Sequence, residues 1–441
     1  MAEAILGVPV IAKVVGALAV ILLVSRFCKH LVIAVGAGAL VLGLWSGHSL
    51  AAMLPIVGRE LSSSDNLLLL LVVLQVIWLS SQMSDSGVMQ DLVTTVRGLV
   101  SQRAAMAVLP AVIGLLPMPG GALFSAPLVD SVDPEGGVAP RLKARTNHWF
   151  RHVWEYWWPL YPGVLLAMKF TGLEVWQFML FGVPLSLCAA AAGYVFLLRR
   201  IGPGGAAGAA QAPRTGTKGA QARALLGLVL PIAVVIGSYA VVRLAYAAIR
   251  SAWPGVPQMA GNIPMALGLC AAMLVLQLQR PLSRAAWQRI ILSPRAFNMV
   301  AIVAMVLAYG SFIRAKLPGG EPFMAQMHAE MADWGIPLPA IIILLPLISG
   351  LAMGLSAGFV GASFPIVMSL IGEDPSLRTV LSTTVLAYGF GYMGMLLSPV
   401  HVCLIVTSAH FRTSVLRNVA GLLAPAAVML AATLLMYLAL R

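Results

Sequence analysis

The sequence predicts an all-α polytopic membrane protein built from two inverted-topology repeats, on three observations. Hydrophobic residues make up 60% of the 441 and charged residues only 10%, with a mean hydropathy of +0.92, well outside the range of soluble domains. Apolar segments follow one another along the whole chain with short polar intervals between them. A stretch rich in helix breakers also occurs in each half, at corresponding places.

The apolar segments of the first half are Ile5–Ser25, Leu31–Trp45, Asn66–Met83, Ala104–Leu128, Trp149–Phe170 and Val175–Leu198. Those of the second are Leu225–Ile249, Met259–Leu278, Phe297–Ile313, Pro337–Leu370, Thr379–Ala409 and Val419–Leu440. Most are close to the ~20 residues a spanning helix needs. The first has neither a basic leader nor a small-residue cleavage site, so it reads as a retained helix. The longest polar interval, "RRIGPGGAAGAAQAPRTGTKGAQAR", carries Arg199, Arg200, Arg214, Lys218 and Arg223 and no acid. It reads as a flexible cytoplasmic linker. The loop "RPLSRAAWQRIILSPR", with Arg280, Arg284, Arg289 and Arg295, is expected on the same side. A net charge of +13 is therefore the mark of cytoplasmic loops, and nucleic acid is not an expected partner. Cys28, Cys188, Cys270 and Cys403 are scattered without metal or redox spacing.

Sides assigned from both ends of the chain conflict unless one segment in each half fails to cross. The segments richest in breakers are the natural candidates. "LLPMPGGALFSAP" (Leu115–Pro127) combines three prolines with two adjacent glycines, and Pro337–Leu370 is the counterpart. Both read as re-entrant hairpins, tolerated at membrane depth only where protein or a wet cavity satisfies the exposed backbone. With five crossings and one hairpin each, the halves begin on opposite sides, which makes them inverted. "LPAVIGLLPMPGGALFSAP" (Leu109–Pro127) and "LPLISGLAMGLSAGFVGASFP" (Leu345–Pro365) echo one another, and a breaker-containing segment follows each. The expected organisation is a first repeat over 1–198 with its hairpin near 104–128, a basic linker over 199–223, and a second repeat over 224–441 with its hairpin near 345–370. Both termini fall outside the cell. Inverted repeats, hairpins and discontinuous helices together are the architecture of secondary transporters.

The hairpin tips supply candidate substrate-binding residues, because a turn of small residues exposes backbone amides to a solute. These are Pro119, Gly120, Gly121 and Ser125 in the first hairpin and Gly358, Gly361 and Ser363 in the second, joined by Ser398 at the second helix break. Small residues also permit close helix packing. Glu155, in "FRHVWEYWWPLYPG", is an intramembrane carboxylate and so a candidate ion-coupling residue, with His152 and His401 beside it in that role. His148, His152 and Glu155 recur at i, i+4 and i+7, one face of a continuous helix, a spacing able to hold a divalent metal. No metal site is assigned on that spacing alone. Trp149, Trp154, Trp157 and Trp158 read as an interfacial anchor. Asp130, Asp133 and Glu135 read as loop partners of Arg141, Lys143 and Arg145. No enzyme is expected: "GASF" (Gly361–Phe364) with His401 has part of the serine-protease ingredients but lacks the motif's final glycine, and no zinc-protease helix or phosphate loop is present.

"GLLPMPGGALFSAPLVD", "NHWFRHVWEYWWPLYPG" and "SPVHVCLIVT" resemble a family of prokaryotic integral membrane proteins of unknown function, grouped with the ion transporter superfamily beside gluconate, citrate and dicarboxylate permeases. The resemblance covers nearly the whole chain. It implies an elevator-type secondary carrier in the cytoplasmic membrane, a homodimer, with each hairpin facing a broken helix. The chain departs from the dicarboxylate members in lacking their Ser-Asn-Thr motifs. The expected function is a permease for a small organic anion, driven by a proton or sodium gradient and needing no other cofactor. An exporter or ion exchanger of the same fold, a channel, an intramembrane serine protease and a metal-dependent membrane enzyme are the alternatives.

Cysteines introduced near Gly120 and near Gly358 should react with a membrane-impermeant thiol reagent from opposite faces of the membrane. Labelling of both from one face would overturn the inverted arrangement.

Overall fold

The computed structural model describes residues 8–28, 30–117, 121–202, 218–372 and 374–441. The described residues form α-helices joined by short turns, with one short 3-10 turn at Leu198–Arg200 and no strand among them. Six helical segments are long and apolar enough to cross a membrane: Val10–Cys28, Ser64–Asp85, Val175–Arg200, Leu226–Ala252, Arg284–Arg314 and Val415–Leu440. Large apolar side chains such as Leu23, Leu187, Leu244 and Leu435 stand exposed on them. For a soluble protein that surface would be an aggregation hazard, whereas in lipid it carries no penalty.

In chain order the helices of the first half are α1 (Val10–Cys28), α2 (Leu31–Trp45), α3 (Leu50–Ser62), α4 (Ser64–Asp85), α5 (Val88–Leu99), α6 (Gln102–Gly114), α7 (Ala122–Ser131), α8 (Pro140–Arg151), α9 (Pro162–Thr171) and α10 (Val175–Phe196). Those of the second are α11 (Lys218–Ala252), α12 (Ile263–Gln279), α13 (Arg284–Ile291), α14 (Pro294–Arg314), α15 (Phe323–Asp333), α16 (Leu338–Met353), α17 (Ser356–Ser369), α18 (Leu377–Leu396), α19 (Val402–His410) and α20 (Val415–Leu440). The interval Ser46–Asp65, between the second and third apolar segments, contains α3, capped by the Ser49 hydroxyl, which accepts from Ala52 N–H.

The stronger contacts between the halves come mostly in reciprocal pairs. α2 packs on α14 and α12 on α4; α5 packs on α11 and α15 on α1; α7 packs on α19 and α17 on α9. α4 meets α14, and α10 meets α20. Buried amides join two of these layers, Gln82 Nε2 donating to Met273 O at 3.0 Å and Gln75 Nε2 to Ala266 O at 3.4 Å. At the edge of the bundle the Glu330 carboxylate accepts from Val10 and Ile11 N–H at 2.7 and 2.9 Å. It thereby satisfies donors at the start of α1, where the helix dipole favours an anion.

Two helix pairs lie at the centre, α6 with α7 and α16 with α17. Gly354, at φ +60°, ends α16 in the left-handed conformation that suits glycine. α16 approaches α18 closely because both present glycine: a methyl group on Gly350 would overlap Gly391 O and one on Gly394 would overlap Leu347 O. After each pair comes an interrupted helix. α8 stops at Arg151 and α9 resumes at Pro162, while α18 stops at Leu396 and α19 resumes at Val402. The tip residues Pro119 and Gly120 lie outside the described residues.

The turn between α7 and α8 is a compact ionic knot. Asp133 accepts from Gly137 N–H at 3.1 Å and Val138 N–H at 2.9 Å, and Lys143 Nζ lies 2.9 Å from both Asp130 and Asp133. Burial alone would raise the Asp133 carboxyl, but these hydrogen bonds and the Lys143 charge outweigh it and hold the group below its ordinary range. Stabilisation from a depressed carboxyl is complete above its unfolded value, near pH 4, and is lost as pH falls through the lower folded value. Asp133→Asn should therefore unfold at a lower temperature than wild type at pH 7, by about 1–3 kcal/mol of stability. The two melting curves should converge in acid; a gap that persists there would place the effect outside the charge.

Candidate functional site

The two interruptions and the two helix pairs meet around one buried polar centre. Its charged and titratable side chains are His148, Arg151, His152, Glu155 and His401, none more than 6% exposed. The helix face drawn from i, i+4 and i+7 spacing does not form as such, because α8 ends at Arg151 and residues 152–157 run as successive turns. Pro159 and Pro162 keep the ladder from running through to α9, because proline has no N–H to give, and Pro162 opens α9 at its first position.

The histidines nonetheless gather. The rings of His148, His152 and His401 form a triangle with centroids 4.8, 4.8 and 5.1 Å apart. His152 Nε2 and His401 Nε2 are 3.0 Å apart, and Glu155 Oε1 lies 3.8 Å from His152 Nε2. The third corner is thus His401, brought from the second break, and Glu155 sits beside the triangle. Ser356, at the start of α17, hydrogen-bonds the Glu155 carboxylate, and the Arg151 charge acts on it as well. Arg151 Nη1 reaches Cys403 Sγ at 3.1 Å, and its guanidinium lies so close to Gly121 that a methyl group there would overlap it. Gly163 likewise admits Ser356 to the start of α9.

Backbone carbonyls released at the breaks are taken up by side chains. The hydroxyl of Tyr388 donates to Glu155 O at 2.7 Å, that of Ser186 to Val153 O at 2.5 Å, and that of Ser398 to Leu351 O at 2.6 Å. Tyr392 donates to His152 O and Tyr161 to Gly114 O. Trp154 and Trp158 donate their indole N–H to Ala111 O and Leu115 O of the first helix pair, at 2.8 and 3.0 Å. Trp149 does the same to Ala189 O at 2.8 Å. Three of the four tryptophans expected as a headgroup belt, Trp149, Trp154 and Trp158, are therefore internal struts, and Trp149 and Trp158 are buried.

The remaining expected residues fall into two groups. Gly121, which caps α7, borders the centre at Arg151; Ser125 lies on α7 with its hydroxyl buried and without a partner among the described residues. Gly358, Gly361 and Ser363 lie along α17, where the glycines face Met353 and Val306 and the Ser363 hydroxyl donates to Phe359 O at 2.6 Å. That serine is not joined to His401, whose Nδ1 meets Gly354 O and whose Nε2 meets His152. Cys403 and the tyrosines were not singled out from sequence as site residues, Ser356 was read only as part of the second hairpin tip, and Arg151 only as an interfacial partner of Glu155. Arg151 carries the one signal that was available, a cation flanking an intramembrane acid. The cavities of about 280 and 400 Å³ on the molecule are lined by Trp78, Met273 and Trp287, and by Ser376, Thr379 and Tyr437. Neither is lined by the histidines, and the charged and histidine side chains of the centre are buried.

Fold and site together define an all-helical protein with the make-up of a multi-pass membrane protein and a charged, buried centre between interrupted helices. The chain belongs to the family described as protein of unknown function DUF401, whose model matches residues 11–215 and 262–440. No curated protein matches it.

Gly354 joins the second helix pair to the second break, since a Cβ there would stand 2.8 Å from His401 N and 3.1 Å from Ser398 Oγ. Its positive φ adds strain for any other residue. Gly354→Ala should lower stability by about 1–3 kcal/mol, read as a fall in melting temperature. An unchanged melting temperature would mean that the α16–α17 turn yields freely.

Proposed function

We propose that the protein is a secondary active transporter of a small organic anion in the cytoplasmic membrane, related to the permeases of the ion transporter superfamily and driven by a proton or sodium gradient. The observation that carries this reading is the convergence of two helix pairs and two interrupted helices on the Arg151–Glu155–His centre. Broken helices present free amides and carbonyls at mid-membrane, which is where secondary transporters bind solute and ion. Reciprocal contacts between the halves support an inverted pair of repeats, because a two-fold relation makes each half contact the other through equivalent elements. The buried centre supports alternating access: solute enters only when one body moves against another, and the elevator motion and homodimer implied by the family resemblance belong to this proposal.

In this mechanism the buried Arg151 guanidinium and the amides at the start of α7 bind the anion, with Gly121 letting the guanidinium approach the backbone. Ser356 and Ser398 orient the neighbouring turns. Glu155 is the ion-coupling group, exchanging a cation as the centre opens to either side, and His152 and His401 complete its surroundings. No bond is made or broken, so the protein is not an enzyme in this proposal.

Purified protein screened against carboxylates, sugar acids, amino acids and amines, in sodium and in potassium buffer at two pH values, identifies solute class and coupling ion together. A ligand at a hundred times its Kd adds about 2.7 kcal/mol to the folded state. A carboxylate should raise the melting temperature in a cation-dependent manner, and Glu155→Gln in proteoliposomes should retain solute exchange while losing gradient-driven accumulation. Stabilisation by amines alone, or undiminished accumulation in Glu155→Gln, would remove the anion or the coupling assignment respectively.

A further inference from the structure

The hydrogen bonds of the three histidines fix where their protons sit. A backbone carbonyl only accepts, so a ring nitrogen bonded to one carries the hydrogen. His152 Nδ1 lies 2.6 Å from His148 O and His401 Nδ1 lies 2.7 Å from Gly354 O. In the neutral rings both Nε2 atoms are then bare lone pairs, and they face one another at 3.0 Å. Two lone pairs at that distance repel unless an electrophile lies between them. His148 is the complement: its Nε2 lies 2.9 Å from Leu396 O, which leaves Nδ1 as the lone pair, and that atom is buried without a partner among the described residues.

We propose that these three histidines bind a divalent transition-metal ion, Zn²⁺ or a neighbour of similar preference. One nitrogen from each ring falls in a set whose members all lie within 4.8 Å of one another. Metal–nitrogen bonds of about 2.0–2.1 Å in tetrahedral geometry separate ligand nitrogens by about 3.3 Å, between the 3.0 Å of the closest pair and that outer limit. Each ring also directs its other nitrogen to a backbone carbonyl, the arrangement that fixes tautomer and orientation in metal-ligating histidines. Imidazole favours zinc, copper, nickel and cobalt over the hard ions magnesium and calcium. A proton held between His152 and His401 would satisfy that pair but not His148 Nδ1, whereas a metal ion satisfies all three.

Glu155, 3.8 Å from His152 Nε2, supplies negative charge at the edge of the triangle and is in reach of a fourth position after a small movement. Arg151 is the opposing charge, directed toward Cys403 and the backbone at Gly121. The inference rests on ring geometry and hydrogen bonding and not on what the protein carries.

Co²⁺ titration of the metal-stripped full-length protein in detergent, after removal of any histidine tag, tests this directly. The expected result is about one ion per chain with the visible d–d bands of a low-symmetry nitrogen site, displaced by Zn²⁺. His152→Gln and His401→Gln should weaken Zn²⁺ binding roughly 100-fold or more. His410→Gln, whose ring lies by Asp130, should leave it unchanged. Should the first two variants fail to fold, X-ray absorption of the Zn²⁺-loaded wild type should count three imidazole ligands. No stoichiometric uptake by the wild type, undiminished affinity in His401→Gln, or fewer than three imidazoles would overturn the site. Metal bound without any solute uptake would sink the transport reading alone, and solute uptake by a protein that binds no metal would sink this one alone.

Discussion

Backbone polar groups removed from water must find partners inside the protein, and the centre of this molecule is organised around that constraint. Each interruption of a helix frees carbonyls and amides that the i to i−4 ladder no longer uses, and each unpaired group in hydrocarbon costs several kcal/mol. The side chains that meet this demand come from elsewhere in the chain. Tyr388 and Tyr392 reach from α18 to the carbonyls of Glu155 and His152. Trp154 and Trp158 reach from the first break to α6 and the turn after it, and Ser398 and His401 reach from the second break to Leu351 and Gly354. The breaks are therefore held by the helix pairs, and the helix pairs by the breaks. A substitution at either should be felt at both.

The same constraint explains the make-up of the site. Ring and phenol donors are suited to the work because they place one hydrogen on a carbonyl while offering an apolar body to the surrounding core. Histidine differs in having a second nitrogen left over once its first is committed. Three such residues side by side, each anchored by a carbonyl, leave three lone pairs in one small volume. The chemistry of the centre is in that sense a residue of its backbone accounting. Arg151 and Glu155 add one charge of each sign, and burying them as neighbours is tolerable where burying either alone would not be.

Much of this was legible in the sequence. Proline and glycine marked both helix pairs and both interruptions, because these residues act locally, and the buried acid Glu155 announced itself by its apolar surroundings. What escaped was whatever depended on distance along the chain. His152 and His401 are 249 residues apart, and nothing in either motif states that they meet. The helical face through His148, His152 and Glu155 was drawn on a helix that ends at Arg151, so two of its members met a partner from the other half. The tryptophans of the first break were assigned to the membrane surface because tryptophan is common there. The indole N–H groups of Trp154 and Trp158 serve carbonyls at the end of the first helix pair's α6 instead, a demand visible only once the breaks are in place. Gly358 and Gly361 show the reverse ambiguity, since a small residue that exposes an amide and one that admits a neighbouring helix look alike in sequence, and here their neighbours are Met353 and Val306.

Charge balance links the centre to its work. In the proposed transporter, with the histidines neutral and metal-free and Glu155 ionised, Arg151 and Glu155 cancel, so a solute anion arriving alone would leave the centre net negative in a medium where uncompensated charge is expensive. A cation entering with it restores the balance and allows the loaded centre to close. A cation arriving alone leaves the centre net positive, with the same penalty reversed. Closure is then favourable when the centre is empty or doubly loaded and unfavourable when it holds one ion only. In the proposed transporter, obligatory coupling would follow from the electrostatics of a buried, charge-balanced site without any separate gate. It requires only that the acid and the base stay buried together, which the interlocked breaks and helix pairs ensure.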